Sequence, residues 1–256
     1  VTYLQILLFS ILDTEEESSM DYQIAKYLLL NADHLSGSSL SDIAADCHVS
    51  KASISRFCRR IGLQDYMDLQ MLIRGNSLVQ ENHPVYALSL QECSVNYMLL
   101  VGQAQQEINR AILNPYTAEL IQDLLHYENI ACFGHLQAGN VATELRHNLS
   151  RIQKLAYYSP SLNAQEAYFD DADDSHLILI FSATGRYFQR FAFNKKKLLR
   201  QNKPKIYLIT TTKLQNSLPY VDRVIELASS YDDNKSHLLM FGYANYLSYS
   251  FQNLKQ

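Results

Sequence analysis

Two kinds of hydrophobic spacing divide this chain. Through about residue 80, apolar side chains return every three or four positions, the period of helices packed on one side. Leu4, Leu7, Leu8 and Ile11 form the first stripe, read as a buried or partner-facing helix. Ile24, Tyr27 and Leu28 form a second; Leu40, Ile43, Ala44 and Cys47 a third; Ile54, Phe57 and Ile61 a fourth. From 129 to 228 the grammar changes to short β-rich runs separated by helical stretches, which signals a parallel sheet covered by helices. NIACFG (129–134), KLAYYS (154–159), HLILIFS (176–182), KIYLITT (205–211) and DRVIELA (222–228) predict five strands. Helices are expected near 93–113, 116–127, 139–153, 187–201 and 235–254, with a short one before the acidic loop Asp170–Asp174.

Local end signals sharpen the first half. Thr14-x-x-Glu17 has the form of a capping box opening a helix. Residues 31–39 read as a polar loop. His48-Val49-Ser50 is a tight connection, Ser50 is a good N-cap, and Gly62 suits a helix C-terminus. The expected fold class is α plus α/β: an all-α helix-turn-helix domain, then a doubly wound sandwich around a five-stranded parallel sheet. The domains would be 1–80, a linker or helix over 81–99, and 100–256. The polar stretch 76–90, with Pro84, marks the boundary.

Composition narrows the classes. The 256 residues carry 22 Lys and Arg against 26 Asp and Glu, a formal charge of −4, with 47% hydrophobic residues. That balance excludes wholesale disorder and a general polyanion binder, so any nucleic-acid contact needs a local basic patch. Cys47, Cys58, Cys93 and Cys132 have neither the spacing of a zinc site nor the density of a disulfide scaffold. No metal and no cofactor are expected, and a reducing, cytoplasmic setting fits. No segment reads as a membrane span or targeting signal.

The sharpest chemistry lies in residues 40–62. A short apolar-striped helix, a tight turn and a second, acid-free basic helix follow in order. A helix-turn-helix needs that division: apolar residues lock the pair, while small polar and basic residues face the groove. Ser50, Lys51, Ser53, Ser55, Arg56, Arg59 and Arg60 are the candidate contacts to double-stranded DNA. One such unit reads only a few base pairs, so a homodimer or higher oligomer is expected, with the helices at 1–12 and 235–254 as candidate surfaces.

The same stretch resembles the N-terminal domain of the RpiR family of bacterial transcription regulators. The resemblance rests on Ile43-Ala44, Val49-Ser50, Ala52-Ser53-Ile54, Arg56-Phe57, Arg59 and Gly62-Leu63. Upstream Leu12 through Tyr27, and downstream Tyr66, Leu69 and Gln70, extend it over most of 12–74. It implies a winged-helix-like, DNA-binding domain, usually dimeric.

Residues 100–256 resemble, more weakly, the sugar isomerase (SIS) domain that follows in that family and binds phosphosugars. The resemblance rests on Cys132 through Leu149, on Asp174 through Gly185 with its Ser182-x-Thr184-Gly185, and on the run from Lys203 to Ala228. It implies an effector site at Gly134, Ser182, Thr184 and Gly185, to which the residues themselves add His135 and Arg186 as candidates facing it. Hydroxyls and amide N–H groups at a strand's carboxyl end would receive a phosphate there, with Arg186 neutralising it. The signature is altered. The first loop carries Leu136 and Ala138 where the family has Gly and Ser, and Tyr187 stands where it has Thr. A changed ligand, or weak binding of simple phosphosugars, is therefore expected. An isomerase would need a base, for which Glu144 and His237 are imaginable, but no catalytic set is recognisable. The reading is a non-enzymatic regulator sensing a sugar phosphate or related anion. The alternatives are a phosphosugar isomerase with an accessory domain, or a regulator whose SIS-like domain only dimerises.

Overall fold

The structure is a computed structural model that describes residues 3–35, 37–77, 88–189 and 197–254. The chain divides into two compact units, Val1–Tyr86 with Pro160–Asn163, and Ala87–Ser159 with Ala164–Gln256. The region written above as a linker or helix is helical from Leu90 onward and groups with the second unit, whereas residues 78–87 of the expected boundary stretch 76–90 lie outside the described residues.

The described part of the first unit is helical: α1 (Tyr3–Thr14), α2 (Met20–Leu30), α3 (Leu40–Asp46), α4 (Lys51–Arg60) and α5 (Tyr66–Ser77). Leu4, Leu7, Leu8 and Ile11 are buried, with α1 packed on α2 and α5, so this stripe is core and not a free docking face. The expected capping box at Thr14 does not form. Thr14 ends α1, where its Oγ1 donates to the Ser10 carbonyl, and Ser19 caps α2. A capping box does open α3, between Ser39 and Asp42. The polar loop after α2 contains the 3-10 turn Ala32–His34 and is tied down from α5, where Tyr66 Oη and Gln70 Nε2 both donate to Ser38 O. No wing strand occurs among the described residues of this unit, so the winged form that the resemblance implied is absent from them.

The second unit opens with α6 (Leu90–Ile112) and α7 (Pro115–His126). Then β1 (Asn129–Phe133), α8 (Gln137–Ser150), β2 (Ala156–Tyr157), α9 (Leu162–Asp171), β3 (His176–Phe181), β4 (Lys205–Thr210), β5 (Arg223–Glu226) and α10 (Asp233–Leu254) complete it. All five strands are parallel, in the order β2-β1-β3-β4-β5. Strand residues alternate between two apolar layers, as a period of two requires. Leu177, Leu179, Phe181, Tyr207 and Ile209 meet α6, α7, α8 and α10; Phe133, Ile178, Ile180, Ile206 and Leu208 meet Phe169, Phe188 and Tyr220 on the other side. The helix expected over 187–201 is not formed at its described ends, which are the 3-10 turns Tyr187–Gln189 and Lys197–Leu199; residues 190–196 lie outside the description. Much of α10's apolar stripe, including Leu239, Tyr243, Leu247 and Phe251, is core. Because the chain leaves β1 toward β2 but β3 lies on β1's other side, the carboxyl ends of β1 and β3 flank a topological switch point, where ligands of such sheets bind.

Candidate nucleic-acid interface and ligand pocket

The turn between α3 and α4 is a closed backbone cap. His48 adopts φ 54°, its N–H donates to Ala45 O at 3.0 Å, and the Val49 N–H donates to Ala44 O at 2.9 Å. That is a Schellman arrangement with His in the left-handed position usually taken by glycine. Ser50 then caps α4, accepting from the Ser53 N–H at 3.1 Å. The far end of α4 repeats the device with Gly62 at φ 89° and the Leu63 N–H on Cys58 O. Two short helices are thereby held in fixed register around buried Ile43, Ile54, Phe57 and Cys58. Burial pushes the Cys58 thiol up to about 11, so it acts as a small apolar group.

Lys51, Ala52, Arg56 and Arg59 are exposed and Ser55 half-buried, at positions that share one face of α4. The serines are turned inward. Ser53 is buried, its Oγ lies 2.9 Å from Ser50 Oγ, and Arg56 Nη2 donates to it at 3.2 Å. Ser55 Oγ donates to Lys51 O. Ser53 is thus placed to hold the Arg56 guanidinium rather than to reach a groove. Arg60 leaves the face altogether: it forms ion pairs with Glu15 and Asp21. Through Tyr86 the sequence has eleven Asp and Glu but only six Lys and Arg. The positive face of α4 is therefore a small patch on an acidic body, which favours one orientation toward a polyanion.

In the second unit the switch point is filled. The β1–α8 loop folds tightly, so that a Cβ on Gly134 would lie 2.5 Å from the Ala138 carbonyl carbon and oxygen. Leu136 keeps a glycine-like backbone, φ 52° and ψ −122°. Tyr187 is buried, and its Oη donates to Gln165 Oε1 at 2.6 Å. Gln165 Nε2 in turn donates to Ser159 O at 2.6 Å and Gly134 O at 3.4 Å. The His135 ring stacks on Tyr187 at 5.0 Å and 6°. Burial raises the Tyr187 phenol well above its ordinary range, so it stays a neutral donor.

A cavity of about 310 Å³ opens one strand along, between the loops after β3 and β4. Its lining includes Thr184, Gly185, Arg186, Thr212, Lys213 and Asn216. The two loops are stitched together: Ala183 O accepts from the Thr211 N–H, Thr211 Oγ1 and Thr210 Oγ1. Gly185 sits at φ 68°, where an L side chain is strained, and Leu214 packs so closely on it that a Cβ there would lie 2.4 Å from Leu214 Cδ2. Glu226 on β5 fixes the second loop by accepting the Leu214 N–H at 2.8 Å.

Comparison with known proteins bears on both units. Residues 12–79 match the helix-turn-helix domain of the rpiR family. The chain carries an rpiR-family helix-turn-helix domain. Over 173 residues it is 25% identical to an uncharacterized HTH-type transcriptional regulator of Providencia stuartii, covering 64% of this chain and 60% of that protein, so it spans less than two thirds of that relative. Over 208 residues it is 22% identical to the HTH-type transcriptional regulator HexR of Escherichia coli K12, covering 77% of this chain and 69% of HexR. Among solved structures, the Vibrio vulnificus NanR protein complexed with ManNAc-6P has TM-score 0.50 at 18% identity, covering 98% of this chain and 92% of that one. The c3406 protein of E. coli CFT073, solved in complex with a phosphosugar, has TM-score 0.51 at 13% identity, covering 66% and 94%. These two likenesses show the fold of the α/β unit, which is SIS-like.

The rpiR-type domain thus holds all seven predicted contacts on or beside α4, but only Lys51, Arg56 and Arg59 present exposed cations free of the Arg60 ion pairs. The predicted effector set is split by the structure. Thr184, Gly185 and Arg186 line the cavity, whereas Gly134, His135 and Ser182 do not. The Gly185 amide, expected to face an anion, is already used by Ser182 O at 3.0 Å. Sequence reasoning does not reach Thr212, Lys213 and Asn216, although a polar TTTKLQN run at a strand's carboxyl end is itself a signal. Neither Glu144, whose Oε1 accepts from Asn148, nor His237, packed against Phe241, lines the cavity.

Proposed function

We propose that this chain is a cytoplasmic, DNA-binding transcription regulator whose SIS-like unit senses a phosphorylated sugar or related anion. The observation that carries it is the α4 face, with three exposed cations on an rpiR-type helix-turn-helix and Arg56 steered by a buried hydroxyl. The likeness to NanR, solved with ManNAc-6P, and to c3406, solved with another phosphosugar, supports a phosphorylated effector. The filled switch point, and the absence of Glu144 and His237 from the cavity lining, favour sensing over isomerisation. The test is a mobility-shift titration on DNA upstream of its neighbouring genes, with and without phosphosugars. Retarded complexes that respond to a phosphosugar support the reading; turnover of phosphosugars without DNA binding overturns it.

The regulator works as a homodimer through the first half of α6. Residues 90–99 are exposed on every side, with Leu90 at 89%, Tyr97 at 56%, Met98 at 66% and Leu99 at 61%. The spacing Leu90, Cys93, Tyr97, Leu100 runs into the buried stripe Ala104, Ile108, Ala111 of the same helix. An apolar stripe that outruns its own core suits a second copy. Light scattering is expected to give a dimer mass for the unmodified chain and a monomer for Leu90→Glu with Tyr97→Glu. A monomeric unmodified chain at working concentration would count against this assembly.

A further inference from the structure

We propose that the cavity between the loops after β3 and β4 is the anion site of this chain, taking the phosphate of a small phosphorylated polyol between Arg186 and Lys213. The proposal rests on the sensing reading and gives it a place one strand away from the switch point.

Three observations carry it. The first is charge. Arg186 and Lys213 approach from facing loops, both exposed, and no ion pair to a carboxylate is formed by either among the described residues. An Arg fork can take two phosphate oxygens at once, while Lys supplies a compact charge. The second is preorganisation. The three donors on Ala183 O, the Gly185–Leu214 contact and the Glu226 clasp on Leu214 fix both walls before any ligand arrives. The third is lining chemistry. Thr184, Thr212, Gln215 and Asn216 can meet hydroxyls, whereas among the described residues no aromatic ring or carboxylate lines the space. That lining suits a hydroxylated anion better than a stacked base or an amine. The space, about 310 Å³, is enough for a five- or six-carbon monophosphate.

The switch point offers a poorer seat. Tyr187, Gln165 and His135 occupy it, and the β1–α8 loop is closed on Gly134.

Calorimetry on the full chain tests the assignment, with inorganic phosphate, a hexose 6-phosphate and the unphosphorylated hexose as probes, and thermal shift at matched ionic strength as a second readout. The unmodified chain is expected to bind phosphate weakly, the hexose 6-phosphate more tightly and the free hexose not at all. Arg186→Ala with Lys213→Ala removes two charge-assisted contacts and is expected to weaken the hexose 6-phosphate by about 10²–10⁴-fold. Ser182→Ala, outside the cavity, is expected to stay within about threefold of the unmodified chain. Binding that survives the double variant and falls with Ser182→Ala would move the site to the switch point, overturning this proposal while the sensing reading stands. A folded, DNA-binding chain that responds to neither phosphate probe in either readout would overturn both.

Discussion

Arg56→Ala is expected to weaken operator binding by roughly 1–3 kcal/mol per copy if the guanidinium reads a base, or about 2–6 kcal/mol across a dimer. The structure makes Arg56 the sharpest choice on α4. It is exposed, and its guanidinium already leans on the buried Ser53 hydroxyl. Ser53→Ala should therefore act in the same direction but more weakly, because it removes a neutral support and no direct contact. Lys51 and Arg59 differ in kind. If they meet only phosphates, each alanine variant lowers affinity similarly on all sequences and shrinks the log–log salt slope by about one per lost contact. Arg60→Ala is the internal control. Its ion pairs with Glu15 and Asp21 are at the surface, where such pairs contribute ~0–1 kcal/mol to stability, so operator affinity should stay within about twofold. Mobility-shift titrations over a salt series measure all of these. Equal losses for Arg56 and Arg60 would show that the basic residues act only as a diffuse field.

Which features the sequence exposed follows from the range of the interactions involved. Helix periodicity and caps are local, so α3, the turn and α4 are readable from the stripe Leu40, Ile43, Ala44 and Cys47, from Ser50 and from Gly62. Five strands are readable because buried parallel strands are continuous apolar runs. Thr14-x-x-Glu17 misleads because Ser19, nearer the start of α2, supplies the competing cap. The Arg60 pairs join residues 39 and 45 positions apart, and no local pattern encodes them. The altered first loop and the β3 signature direct attention to the switch point as the effector pocket. The neighbours of the cavity one strand along depend on which loops touch. That is decided by Leu214 packing on Gly185, a contact between two loops that only the folded sheet brings together. The large residue at 187 is readable; that it completes a hydrogen-bonded plug with Gln165 is not.

Truncating that plug is expected to cost the most stability of any change considered. Tyr187→Thr installs the residue type of the SIS signature and removes a ring that is 1% exposed and packed among Phe169, Phe188 and His135. Aromatic truncation in a core costs about 3–5 kcal/mol, because the walls relax only partly into the space left. Gln165 Oε1, completely buried, also loses its donor, and a threonine hydroxyl is too short to replace it. In a unit of this size, each kcal/mol moves the melting point by about 2–4 °C, so scanning calorimetry should show a fall of roughly 6–20 °C. Tyr187→Phe separates the two causes. It keeps the ring and strands only the Gln165 oxygen, for which about 1–3 kcal/mol is expected. A phenylalanine variant as damaged as the threonine one would place the stability in the hydrogen-bond chain from Tyr187 through Gln165 to Ser159. A threonine variant melting within about 2 °C of the unmodified chain would mean that the ring does not pack at the switch point at all.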